Sequence, residues 1–288
     1  LRAPAMHSGA MQGDWQNAIE RARAHSPFLE LALRRQPDLA ALLERGEEQA
    51  AFAWARSAGT EAPDVPTALR RERLALATVL AIGDLAGVVP LKRVMTELSS
   101  LADRAVDAAI TNAISRRVPD AERRGFTAIA LGKHGAGELN YSSDIDPILL
   151  YDPETLPRRD RDEPGEAAQR YARKLVETLS AQTGDGYVFR VDLRLRPASE
   201  VTPLAISFNA ALSHYESSAL AWERAAYIRA RSAAGDIAAG EQFLAAIRPF
   251  VWRRSLDFMA IEEIRRLTGR IRRAHRGPRE PGPGFDLK

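Results

Sequence analysis

The sequence predicts an α+β protein, a mainly helical chain carrying one small mixed sheet with flanking helices. Three observations point there. Residues 1–118 place apolar side chains at helical spacing. At Gly125 the style changes to short apolar runs bounded by turn residues, and after Pro203 the helical pattern returns.

In the first region Pro37 and Asp38 open a helix over 39–56. Further helices are expected over 68–85, 90–101 and 102–117, where Leu, Ala and Arg favour the helical state. Residues 57–63, centred on Gly59, read as a linker and 87–90 as a turn. In the middle, 126–131 and 145–151 read as strands, and 187–195 alternates apolar with polar residues as a half-buried strand does. A helix over 166–182 comes after a charged loop that holds Pro153 and Pro157. The later helices are expected over 207–217, 219–233, 237–248 and 250–273. The expected domains are therefore a helical region 1–118, a sheet-bearing core 119–205, a helical region 206–275 that completes it, and a Pro/Gly-rich tail 276–288.

Composition narrows the function. The 288 residues are 45% hydrophobic and 27% charged, ordinary for a globular protein. With no cysteine, disulfides, thiolate zinc sites and iron–sulfur clusters are excluded, which fits a cytoplasmic protein. The most apolar run, 74–88, is broken by Gly83 and Asp84, so no membrane span is expected. The chain opens on Leu1 rather than Met, so a longer parent protein is expected. Residues 246–288 carry eleven Lys/Arg against five Asp/Glu, which reads as a solvated helical face or a contact with further chain. Nucleic-acid binding is the weaker alternative, since no aromatic stacking platform accompanies the charge.

The chemistry is concentrated in 132–151, where a glycine-containing loop leads into Asp144-Ile-Asp146 at the head of an apolar run. Side chains two apart on a strand share a face, and two carboxylates so close repel unless a cation sits between them. Hard divalent ions take oxygen ligands, and Mg2+ commonly links carboxylates to substrate phosphates. Gly135 and Gly137 let backbone N–H groups approach an anion. A third acid, Asp192, lies among apolar residues of Val-Asp-Leu-Arg-Leu-Arg-Pro, an expensive place for an unpaired charge. Asp144, Asp146 and Asp192 together can hold two Mg2+ ions, while Arg194 and Arg196 bind phosphate or neutralise the acids. The bland alternative is a structural Asp–Arg pair.

Other loop chemistries fail. A Walker loop needs Ser or Thr after its Gly-Lys, but His134 comes after Lys133. A dinucleotide fingerprint needs a glycine where Asn140 stands. His134 reads as a loop position and His214 as a helix residue. Trp222, Glu223, Arg224, Arg229 and Arg231 fall on one expected helix, where Arg224 and Arg231 share a face that could reach a phosphate; the equal alternative is an ordinary amphipathic helix with Trp222 in the core.

These residues resemble the glutamine synthetase adenylyltransferase/adenylyl-removing family. Its hallmark is similar to residues 132–146, its Asp-x-Arg-Leu-Arg-Pro segment to 192–197, and its Trp-Glu-Arg helix to 222–224. The likeness extends from about residue 68 to 273. It implies a polymerase β-like nucleotidyltransferase fold with Asp144, Asp146 and Asp192 as catalytic metal ligands. Gly135, Gly137, Ser142, Ser143, Arg194 and Arg196 would contact the nucleotide or phosphate. The run 248–258 resembles the segment just C-terminal to the family's N-terminal module. The resemblance therefore implies the half that removes AMP from a glutamine synthetase tyrosine, consuming phosphate and giving ADP. The alternatives are AMP addition from ATP to a protein tyrosine, RNA or a small molecule, and a non-catalytic binding module. The full-length family chain would also meet the PII signalling protein. Pro147 departs from the family, whose residue there is apolar and usually leucine. A proline belongs at a strand start or edge and puts regular pairing there in question.

Overall fold

The computed structural model describes residues 8–252, with 262, 265, 266, 269, 270 and 273; for 8–13 it describes the backbone alone. These residues form two compact units that alternate along the chain. The first holds the chain up to Ala113, then Gly137–Ser142 and Lys174–Arg190. The second holds Ile114–Ala136, Ser143–Arg173 and the chain from Val191 on.

The first unit is helical: α1 (Ser8–His25), α2 (Pro27–Arg35), α3 (Pro37–Glu44), α4 (Glu48–Ser57), α5 (Val65–Leu85) and most of α6 (Leu91–Ser115). Side-chain caps set its starts. Ser26 accepts from the Leu29 N–H with Pro27 in the first turn, and Asp64 accepts from the Thr67 N–H at 2.8 Å. The helix expected over 39–56 is two helices, because the chain turns through residues 45–47. The two expected over 90–117 are one, since Leu101 and Ala102 at the presumed junction are fully buried mid-helix. Trp15, Leu39, Leu43, Leu76, Leu80 and Leu98 form its interior.

The second unit carries a four-stranded sheet in the order β3-β2-β1-β4, from β1 (Phe126–Ala130), β2 (Pro147–Tyr151), β3 (Ala205–Ser207) and β4 (Arg231–Gly235). β1 pairs antiparallel with β2, from Phe126 opposite Tyr151 to Ala130 opposite Pro147, and antiparallel with β4; β2 pairs parallel with β3. β1 is buried on both faces. On one face Ile129, Ile148, Leu150 and Ile206 pack with Tyr215 of α9 (Phe208–Ser217) and Phe243 of α11 (Ile237–Ala246). On the other, Phe126 meets Tyr171 of α8 (Pro164–Ser180) edge to face at 6.2 Å. Asp236 fastens one end, capping α11 through Ala239 N–H and accepting from Gly125 N–H at 2.9 Å.

Two expectations are overturned here. Residues 187–195 are not a strand: only Val191 pairs, as a single parallel bridge to Ile145, with Asp192 N–H donating to the Ile145 carbonyl. The next bond of that ladder would run from the N–H of residue 147 to the Asp192 carbonyl, and Pro147 has none. Pro147 is thus the first residue of β2, and it ends the pairing that would have made a longer strand. The helix expected over 219–233 is also wrong. It ends at Tyr227, as α10 (Ala221–Tyr227), and Arg231 opens β4. Arg-Ser-Ala-Ala-Gly has no branched or aromatic residue to signal a strand. Pairing with β1 imposes it, with the Thr127 hydroxyl donating to the Ala234 carbonyl at 3.1 Å. Arg224 and Arg231 therefore lie on different elements. The helix expected over 250–273 and the tail lie largely outside the described residues, and α12 (Arg248–Val251) is a single turn. Among the described residues no helix is long and apolar enough to cross a membrane.

Candidate active site

β1 runs out at Ala130, and the chain turns through Gly132 into the short helix α7 (Gly132–Ala136). β2 begins beside it, with Leu131 N–H donating to the Asp146 carbonyl at 3.2 Å. This brings Asp146 against Gly132. A Cβ on Gly132 would lie 2.9 Å from Asp146 Oδ2, and Gly132 has φ +57°, so glycine is required on two counts. Gly135 is required for packing, since a Cβ there would lie 2.4 Å from the Arg229 carbonyl oxygen and 2.6 Å from that of Ala130. Gly137 has φ +71° and open space around it, as a turn residue does.

Asp144 and Asp146 flank the bridge at Ile145, and the Val191 bridge sets Asp192 alongside. The Asp146 carboxyl is pushed from the ordinary 3.8 up to about 6. Burial is the first cause, then the charges of Asp192 and Asp144; Arg194 and Lys133 pull the other way. Asp192 is shifted downward instead, because Arg194 holds it. Arg194 Nε donates to both Asp192 oxygens at 2.9 and 2.8 Å, Nη2 also donates to Oδ2, and the Arg194 N–H donates to Oδ1 at 2.9 Å. The arginine itself projects into solvent.

The other nominated residues have varied surroundings. Arg196 donates to the carbonyls of Leu193, Ser199, Thr202 and Pro203, which ties together the loop into β3. Ser143 is half-buried and belongs to the second unit. Ser142 is exposed and belongs to the first, where its N–H donates to Asn140 Oδ1 and its carbonyl accepts from Arg190 at 2.6 Å. Lys133, set aside with the Walker pattern, contributes positive charge at Asp146. His134 is buried, and its carbonyl accepts from Arg231 at 3.2 Å. His214 pairs with buried Glu223 at 2.8 Å, so both serve the joining of α9 to α10.

Among the described residues no three His, Cys, Asp or Glu side chains close on a point as a metal cage would. The donor set still fits a hard divalent ion in kind: three carboxylates, one half-buried and destabilised by the other two. Asp192 would have to exchange Arg194 for the ion.

A small mixed sheet with flanking helices and aspartates at the head of β2 is the build of a polymerase β-like nucleotidyltransferase domain. Residues 16–246 match the model of the family described as glutamate-ammonia ligase adenylyltransferase, and the chain belongs to that family. It is 43% identical to the bifunctional glutamine synthetase adenylyltransferase/adenylyl-removing enzyme of Caulobacter vibrioides, over 97% of this chain and 30% of that protein. Its identity to the protein of the same name from Rhizobium meliloti is 41%, over 90% of this chain and 27% of that one. For the Xanthobacter autotrophicus protein it is 42%, over 75% and 23%. The chain thus spans less than a third of the length of these relatives.

Proposed function

We propose that the chain is a nucleotidyltransferase module that removes AMP from an adenylylated tyrosine of glutamine synthetase, and so regulates nitrogen assimilation. The observation that carries this is the Asp146 carboxyl, raised first by burial and then by the charges of Asp192 and Asp144, in a chain of this family. The relatives' names cover both addition and removal of AMP. Removal is favoured by the run 248–258, which resembles the segment C-terminal to the family's N-terminal module; residues 253–258 of it lie outside the described residues.

In the reaction a phosphate oxygen attacks the α-phosphorus of the adenylyl group. The phosphorus–tyrosine oxygen bond breaks, the tyrosine oxygen takes up a proton, and ADP leaves. Asp144, Asp146 and Asp192 would hold two Mg2+ ions. When bound, these supply charge stabilisation at the attacking and leaving oxygens. Gly132 leaves room for Asp146 beside the end of β1. Lys133 and Arg194 moderate the repulsion among the acids, and Arg194 fixes the Asp192 carboxylate for exchange. PII signalling protein would act through the full-length chain.

The test supplies adenylylated glutamine synthetase, phosphate and Mg2+, and monitors the nucleotide released. ADP supports removal by phosphorolysis. Pyrophosphate released from ATP with unmodified glutamine synthetase, and no ADP from the first mixture, would assign addition instead.

A further inference from the structure

The first unit contains a cavity of about 560 Å³ whose lining includes none of the three aspartates, though Ser142, expected to contact nucleotide, lies in its wall. That is within the roughly 300–1,000 Å³ of small-molecule sites. Its lining comes from α2, α5, residues 141–142 and the turn 182–187, all within the first unit. Phe28, Leu31, Leu74 and Tyr187 give it an apolar and aromatic wall. Phe28 is 57% exposed and Leu31 41%, so both stand at the rim where an entering ligand can meet them.

The charged part of the lining is mostly cationic. Arg35, Arg70 and Arg73 face a single carboxylate, Asp185. The three arginines differ in what they already hold. Arg70 is buried and donates to the carbonyls of Pro66, Ala181 and Gly186, so it builds the wall. Arg35 donates once, to the Gly184 carbonyl at 3.0 Å. Arg73 donates to the Tyr141 carbonyl at 2.9 Å and lies 5.4 Å from the Phe189 ring. Its Nε is buried and has no hydrogen-bond partner among the described residues. That Nε is fully covered, so what Arg73 offers an anion in the cavity is its positive charge, added to that of Arg35 and Arg70. Apolar walls call for an apolar body, and the guanidinium charges call for an acidic head.

The geometry points to a binding site for a small organic anion, an aromatic or branched apolar body with a carboxylate- or sulfonate-type head, separate from the three aspartates. The body lies against Phe28, Leu31 and Leu74, and the head meets Arg73 and Arg35.

Anilinonaphthalene sulfonate, a fluorescent aromatic anion of this class, tests the site by titration onto the folded protein, beside its neutral analogue phenylnaphthylamine. Saturable binding of one anionic dye per chain is expected, with the neutral dye weaker by about tenfold or more. Arg73→Met should weaken the anionic dye by a similar factor. Since Arg73 also supports Phe189 and Tyr141, Phe28→Asp on the exposed rim is the second variant, and it should weaken binding without touching the fold. Leu91→Asp, also at an exposed position but outside the cavity, should leave binding unchanged. The inference is overturned if dye binding survives both cavity variants, if the neutral dye binds as well as the anion, or if AMP displaces the dye, which would make the cavity part of the nucleotide site.

Discussion

The head of β2 and the loop after Val191 each present an aspartate to the same small region, and the two are shifted in opposite directions. Asp146 sits half-buried beside Gly132, and its carboxyl rises to about 6. Asp192 accepts a forked arginine and falls below the ordinary carboxylate range. Residue type alone does not set the behaviour of an acid. Burial without a partner favours the protonated form, and a hydrogen-bonded cation favours the charged one. A divalent ion entering here would have opposite tasks on the two sides, relieving Asp146 and displacing Arg194.

The comparison breaks most visibly in turnover. Asp146→Asn or Asp144→Asn should remove several kcal/mol of transition-state stabilisation, about a hundredfold or more in rate. Near-normal turnover by a folded variant would remove these residues from the chemistry.

Packing around the β2 head comes next. Gly135→Ala would force a Cβ between two backbone carbonyls and should cost about 1–3 kcal/mol in urea unfolding. A neutral result would mean that α7 is free to shift.

A pH titration of metal-free stability sharpens the contrast itself. Asp146 has a folded value above its ordinary 3.8, so its contribution is fully present below about 3.8 and is lost as pH rises through about 6. The loss should be about 1–2 kcal/mol after allowing for the solvent that reaches the carboxyl, and absent in Asp146→Asn. Asp192, shifted downward, contributes above its ordinary value and loses that contribution as pH falls through the folded one. Arg194→Met should flatten the acid side and, by removing a charge that restrains Asp146, deepen the loss on the other side.

The smallest effect expected is at Pro147. Pro147→Val restores the N–H that the ladder to Asp192 lacks, and hydrogen exchange should find that amide protected, with stability changed by less than about 1 kcal/mol. A rapidly exchanging amide would mean that something other than proline ends the pairing.

Much of this region was legible because its signals are local. The apolar runs at 126–131 and 145–151 became β1 and β2, and the close spacing of Asp144 and Asp146 foretold the repulsion felt at Asp146. Arg194 did meet Asp192, but through a turn rather than across a strand face, because Pro147 had stopped the strand. What stayed hidden depends on distant partners. β4 reads as helix until β1 pairs with it, and Arg196 reads as a phosphate ligand until four carbonyls gather around it. Gly135 reads as an anion loop until Arg229 and Ala130 close on it. Nothing near Arg73 in sequence marks it, since its cavity needs residues 28–35, 141–142 and 182–187 at once.

Asp144, Asp146 and Asp192 are proposed to act together in Mg2+-dependent removal of AMP from glutamine synthetase. The most direct measurement compares ADP release from adenylylated glutamine synthetase and phosphate by the protein and by its Asp144→Asn variant, across a Mg2+ titration. ADP release should rise with Mg2+ and fall about a hundredfold or more in the variant. Release that is indifferent to Mg2+, or unchanged in a folded Asp144→Asn protein, would contradict that joint role.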